Sequence, residues 1–162
     1  MKLGVGIDDV QEAEMELAKQ LVSLAERHLS ESDVYHMSLA RAHVCAEHVW
    51  RLRPFVDRYD AHTVDVEDAT TPGLLETLRQ GAAKGLGHMS VSGLVLVKDL
   101  RQTYIAAHRA EIGWIVLQQA AKAARDTELL AVVGVCAEEA EQTWKWLRTR
   151  IKQSAPEALA TS

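Results

Sequence analysis

The chain has 162 residues, 48% hydrophobic and 25% charged, the balance of one folded globular domain spanning 1–162. A formal net charge of −5 sets up no basic field that would draw the protein to nucleic acid. No stretch approaches the ~20 apolar residues of a membrane helix, and MKLGVGIDDVQEAE lacks the apolar run of a signal peptide, so a cytoplasmic location with no membrane partner is expected.

Cys45 and Cys136 are the only cysteines, too few for a secreted disulfide framework. In a reducing compartment they should be thiols.

Two long tracts, about 8–59 and 91–153, are poor in Gly and Pro and rich in good helix formers. A first helix over 8–29 is predicted from the capping-box spacing of Asp9 and Glu12. Ser30-Glu31-Ser32-Asp33 breaks the tract and offers a new N-cap, so the second helix runs over 31–59. HTVDVEDATTPG then interrupts the helical pattern. Thr71-Pro72-Gly73 starts a short helix over 72–85, which ends among Gly81, Gly85 and Gly87. Two further helices cover 91–125 and 127–152, parted at Asp126-Thr127-Glu128. The expectation is an all-α fold, a four-helix bundle of two hairpins joined by a long crossover that carries the short helix.

Apolar stripes at helical spacing support this. The first helix collects Ile7, Val10, Leu17, Leu21, Leu24 and Ala25. The second collects Val34, Met37, Val44, Leu52, Phe55 and Tyr59. The helix over 91–125 collects Leu94, Val97, Tyr104, Ile105, Ile112 and Ile115. The last collects Leu129, Val132, Ala140, Thr143, Leu147 and Ile151.

Residues that break these stripes carry the chemistry. Glu14, Cys45, His48, His108, Glu111, Cys136 and Glu139 are all of types that bind transition metals. A buried carboxylate is costly unless it is paired or bound to a cation. Glu14 stands 16 residues before a turn at residue 30, and His48 stands 18 after it. Glu111 stands 15 before a turn at residue 126, and Glu139 stands 13 after it. At ~1.5 Å per residue each pair is level to about 3 Å, so the groups can meet in one mid-bundle layer. Val44-Cys45-Ala46-Glu47-His48 and Val135-Cys136-Ala137-Glu138-Glu139 agree at four of five positions, a faint repeat between equivalent helices.

The hairpin–crossover–hairpin layout resembles the ferritin-like superfamily. The stretch AEIGWIVLQQAAKAARDTELLAVVGVCAEEAEQTWKWL is similar in layout to bacterial stress-associated ferritin-like proteins and uncharacterised actinobacterial relatives. The resemblance implies Glu on the first helix, Glu-x-x-His on the second, Glu on the third and Glu-x-x-His on the fourth. Glu14, His48 and Glu111 match that pattern. Cys45 stands at the second helix's Glu position, and the fourth helix offers Cys136-x-x-Glu139 or Glu139-x-x-Gln142.

The leading expectation is therefore a bundle that binds iron or zinc between its helices, with a stress- or redox-related role and no catalytic residue assigned. Its metal ligands would be Glu14, His48, Glu111 and Glu139, with Cys45, His108 and Cys136 bound or adjacent. One alternative is a non-enzymatic interaction or stress protein whose metal site has decayed. Another is a thiol sensor using Cys45 and Cys136.

His28, Asp33, His36 and His43 form a second polar group, and His36, His43, Glu47 and Trp50 share a face read as solvated. Trp50 and Trp114 point away from the assigned stripes, which predicts a homodimer or larger assembly with one of them at the contact. No phosphate-binding glycine loop, nucleophile motif or Cys-x-x-Cys is present.

Overall fold

The computed structural model describes residues 2–65 and 93–160, and within them every regular element is an α-helix. These are α1 (Leu3–Arg27), α2 (Ser32–Val56), α3 (Gly93–Ala124) and α4 (Thr127–Ala160). The short helix expected over 72–85 lies outside the described residues.

α1 begins at Leu3, ahead of the Asp9 cap, and its N-cap Lys2 makes no side-chain capping bond. Burial explains the early start. Leu3 and Ile7 are 3% and 0% exposed. That outweighs the helix-propensity cost of Gly4 and Gly6, roughly 1 kcal/mol each.

α2 stops at Val56 rather than 59. Pro54 cannot donate to the Trp50 carbonyl, so the helix has lost a rung just before it ends. Asp60 then turns the chain with φ 53°, and the Ala61 amide donates to the Val56 carbonyl.

Arg125 (φ 55°) closes α3, and the Asp126 side chain accepts from the Leu129 amide at 2.9 Å to cap α4. α4 runs on to Ala160, past the expected end at 152 and through Pro156. Its extra turns have partners. Arg150 donates to the buried Ser154 hydroxyl at 2.8 Å, and Ala158 faces Gly93 at the start of α3.

The contacts give the topology. Gly4 meets Tyr59, and Glu14 meets His48, so α1 and α2 are antiparallel. Val10 meets Gly113 and His28 meets Asp99, so α1 and α3 are antiparallel. His108 stacks on Trp144, which fixes α3 and α4 likewise. Every adjacent pair is therefore antiparallel, and the diagonal pairs α1/α4 and α2/α3 run parallel. The end of α2 and the start of α3 lie at opposite ends of the bundle, as a hairpin–crossover–hairpin chain requires.

The α2–α4 face is the thinnest of the four. Polar pairs cross it at mid-height and at both ends: Arg51–Glu139, Arg58–Asp126 and Arg150–Glu31.

The α1 stripe is buried throughout as expected. The α2 and α4 stripes are buried or half-buried. The α3 stripe is wrong. Ile105, Ile112 and Ile115 are 68%, 60% and 52% exposed, and Leu94 is exposed as well. The buried face is instead Leu96, Leu100, Thr103, Ala107, Ala110, Trp114, Leu117 and Ala121. α3 carries apolar residues on both sides, and the face with alanines at 107, 110 and 121 lets the backbones approach closely. Bulk alone pointed to the other face.

Two core clusters fill the bundle. One holds Leu17, Leu21, Val34, Leu100 and Leu147, and the other holds Ile7, Leu52, Leu117, Leu129 and Val133. Between them lies a polar layer. Among the described residues no helix is long and apolar enough to cross a membrane.

Candidate functional site

Glu14 is 0% exposed on α1, and His48 is 1% exposed on α2. His48 Nδ1 lies 2.9 Å from Glu14 Oε1, and its Nε2 lies 2.9 Å from Glu139 Oε2. Carboxylates are acceptors, so a ring held between two of them must donate from both nitrogens. With both carboxyl groups ionised, His48 is an imidazolium. Burial pushes its pKa down, but the charge and hydrogen bonds of Glu14 and Glu139 outweigh that, and the pKa stands above its ordinary 6.5.

Arg51 Nη1 donates to the same Glu139 oxygen at 2.8 Å. Trp114 Nε1 donates to Glu14 Oε1 at 2.6 Å, and its ring meets the His48 ring edge-on at 5.5 Å between centroids. The charges thus alternate outward from the core: Glu14, His48, Glu139, Arg51. Glu14 and His48 are sealed in, while the Glu139 and Arg51 side chains are 30% and 31% exposed on the α2–α4 face. One polar atom is left over: Glu14 Oε2 is buried and has no hydrogen-bond partner.

Both cysteines flank this layer as free, buried thiols. Burial, followed by the adjacent Glu14 carboxylate, holds the Cys45 thiol well above its ordinary value. Burial pushes Cys136 up to about 12 against the pull of Arg51. Neither is a thiolate at neutral pH, the form a nucleophile or metal ligand needs.

The structure thus brings together Glu14, His48 and Glu139, with Cys45 and Cys136 beside them. Glu111 and His108 are elsewhere. They pair with each other at 2.8 Å across one turn of α3, and His108 stacks on Trp144 with 4.9 Å between centroids. The same error of rotation that misplaced the α3 stripe accounts for this, since one residue is about 100° on a helix. Trp114, not Glu111, occupies the inward position. Trp114 is 0% exposed and cannot form an outer contact, contrary to the expectation, whereas Trp50 is 46% exposed.

Sequence reasoning missed Arg51 and Trp114 as members of the layer. Arg51 had a signal, standing one turn after His48. Of the second polar group, His28 is 3% exposed and bonds Asp99 at 2.8 Å, tying the α1–α2 turn to α3. Asp33 pairs with Arg150 at 2.9 Å. His36 is exposed, and His43 approaches Glu47 at 3.6 Å.

A metal centre asks for converging lone pairs. His48 has none to give while both its nitrogens donate, and its ring holds the two carboxylates apart. Among the described residues no group of three or more His, Cys, Asp or Glu side chains is arranged to hold a metal ion. The donor set in this arrangement does not fit a two-metal site of the Glu and Glu-x-x-His kind. No family model, curated protein or solved structure matches the chain.

Proposed function

We propose that this is a non-enzymatic helical interaction protein with a ferritin-like layout, in which the chain's own cations stand where such bundles hold metal. The observation that carries the reading is the His48 ring bridging Glu14 and Glu139, with a carboxyl oxygen 2.9 Å from each ring nitrogen. Arg51 completes it. A guanidinium fixed on Glu139 repels any metal approaching that carboxylate. The hairpin–crossover–hairpin order, with all adjacent helices antiparallel, supports the ferritin-like frame. The two buried thiols, held towards the protonated form, weigh against a thiol sensor.

A second reading has one observation in its favour. The unpartnered, buried Glu14 Oε2 suits a cation, and iron or zinc there would take Glu14, His48 and Glu139, with Cys45 and Cys136 at hand. It requires His48 to lose a proton and the layer to rearrange.

Nitrogen-15 NMR of the His48 ring, joined to elemental analysis of untagged protein purified without chelators, separates the two. The expected result is an imidazolium with both nitrogens protonated at neutral pH, and no stoichiometric metal even after anaerobic loading with ferrous iron or zinc. Stoichiometric metal that is lost in Glu14→Ala would overturn the interaction reading and establish the metal site.

A further inference from the structure

The outward face of α3 is patterned as regularly as its inward one. Lys98, Arg101, Ile105, Arg109, Ile112 and Val116 recur at spacings of three and four, so they form one stripe, and all are exposed. Scattered exposed aliphatics need no explanation, but a continuous band does. Ile105, Ile112 and Val116 are 68%, 60% and 57% exposed.

Every charge on this stripe is positive, in a chain whose net charge is −5. Among the described residues Lys98 and Arg101 have no ion-pair partner. Arg109 reaches Glu12 of α1 at 3.1 Å, but both side chains are more than half exposed, so that pair yields readily. The stripe also has a shaped centre. A hollow of about 340 Å³ opens among Tyr104, Ile105, His108, Arg109 and Ile112. Four of these stand at i, i+3, i+4 and i+7, the diamond of residues that takes one knob side chain from a facing helix.

We propose that the outward face of α3 docks an acidic amphipathic helix of a partner protein. An apolar side chain of that helix fills the hollow between Ile105 and Ile112. Its carboxylates reach Arg109 beside the hollow, and Arg101 and Lys98 one and two turns before Ile105. The width of the stripe selects a helix over a broader anion. Carboxylates stand on both sides of it, Glu12 on the α1 side and Glu111 and Glu138 on the α4 side. A flat anionic bilayer laid on the stripe would meet both sides and be repelled there. A single helix, about 10 Å across, fits between them. A second copy of the stripe would bring cations to cations. The proposal names the partner class for the interaction reading above and rests on it. The two fail separately, because ring NMR and metal analysis read the buried layer, and docking reads a face that the layer does not reach.

Fluorescence anisotropy of a labelled peptide, titrated with the full chain, tests it. The probe is a helix of about three heptads with Leu at a and d and Glu at e and g, whose own glutamates keep it from pairing with itself. The expected result is binding that weakens as salt is raised. The same peptide with Lys at e and g should bind at least about tenfold more weakly. Lys98→Glu with Arg101→Glu should reverse that preference. Ile112→Asp should abolish binding of either peptide, with unchanged helix content by circular dichroism, since the Ile112 side chain is exposed. A chain that binds neither peptide, or both alike, overturns the proposal, as does binding that survives Ile112→Asp. Capture of the chain by phosphatidylglycerol vesicles that depends on Ile112 would assign the face to a membrane. A dimer of the chain alone that depends on Ile112 would assign it to a second copy. Either result also overturns the proposal.

Discussion

Trp114 donates its indole N–H to the Glu14 oxygen that also accepts from His48. A carboxylate that is 0% exposed has no water to replace a lost donor. Trp114→Phe keeps a ring in place but removes the N–H. Leaving the buried acceptor short of a partner should destabilise the fold by about 1–3 kcal/mol, with a smaller cavity term added. Urea denaturation measures this. In a Glu14→Gln background the loss should shrink, since the bond to a neutral amide is weaker. Equal losses in both backgrounds would mean that the indole acts through packing alone. At this scale the sequence was half legible. Counting from the two turns was enough to level Glu14, His48 and Glu139, because rise per residue is constant. Counting says nothing of rotation. Positions 111 and 114 lie only about 60° apart around the α3 axis, so height alone could not tell that Trp114 rather than Glu111 points inward.

Gly4 and Gly6 stand two residues apart in α1 and face different surroundings. A Cβ on Gly4 would strike the Tyr59 backbone carbonyl, which has little room to yield. A Cβ on Gly6 would meet only Leu117 Cδ1, at 3.4 Å, an ordinary contact with a flexible side chain. Gly4→Ala should thus cost about 1–3 kcal/mol and loosen the start of α1 from the end of α2. Gly6→Ala should be neutral or stabilising by up to roughly 1 kcal/mol, the usual helical preference for Ala over Gly. Thermal melts of the two variants give the signs directly, and a stable Gly4→Ala would show that the chain after α2 can move aside. This contrast explains why helix ends were read less well than helix existence. The four long helices follow from composition and the breaks at 30 and 126. Their ends depend on what lies across from them: Leu3 and Ile7 buried at the front of α1, Ser154 and Ala158 docked at the back of α4. Similarly, α1 was read correctly because only one of its sides is apolar, and α3 was not because both are.

Across the whole bundle, His48 and Asp126, at different heights, contribute with opposite sign to how stability varies with pH, and the Asp8-paired His62 adds to the His48 side. His48 sits in the middle, between the two cores, faced by Glu14 of α1, Cys45 and Arg51 of α2, Trp114 of α3, and Glu139 and Cys136 of α4. Its folded pKa is above its ordinary 6.5, so its contribution is complete below about that value and is lost as pH rises through the folded pKa. Asp126 sits at the end of the bundle where α2 meets α4. The Leu129 amide first, then the Tyr59 hydroxyl at 2.5 Å and Arg58, hold its pKa below the ordinary 3.8. Its contribution is complete above that value and is lost as pH falls through the folded pKa. The windows of these two groups overlap between about pH 4 and 6.5, where both contributions are complete. Denaturation midpoints should therefore fall as pH is raised from 6 towards 9, for a reason that differs from ordinary alkaline unfolding. His48→Gln tests the cause. The amide carries no titrating proton, so the variant should be less stable at pH 6 and fall less steeply over that range, with the slope left by His62 and the buried thiols, and its curve should approach the wild type's at high pH. A wild-type curve flat from pH 6 to 9 would show that His48 is not charged in the folded protein, and the reading of the layer as a relay of paired charges would fall with it.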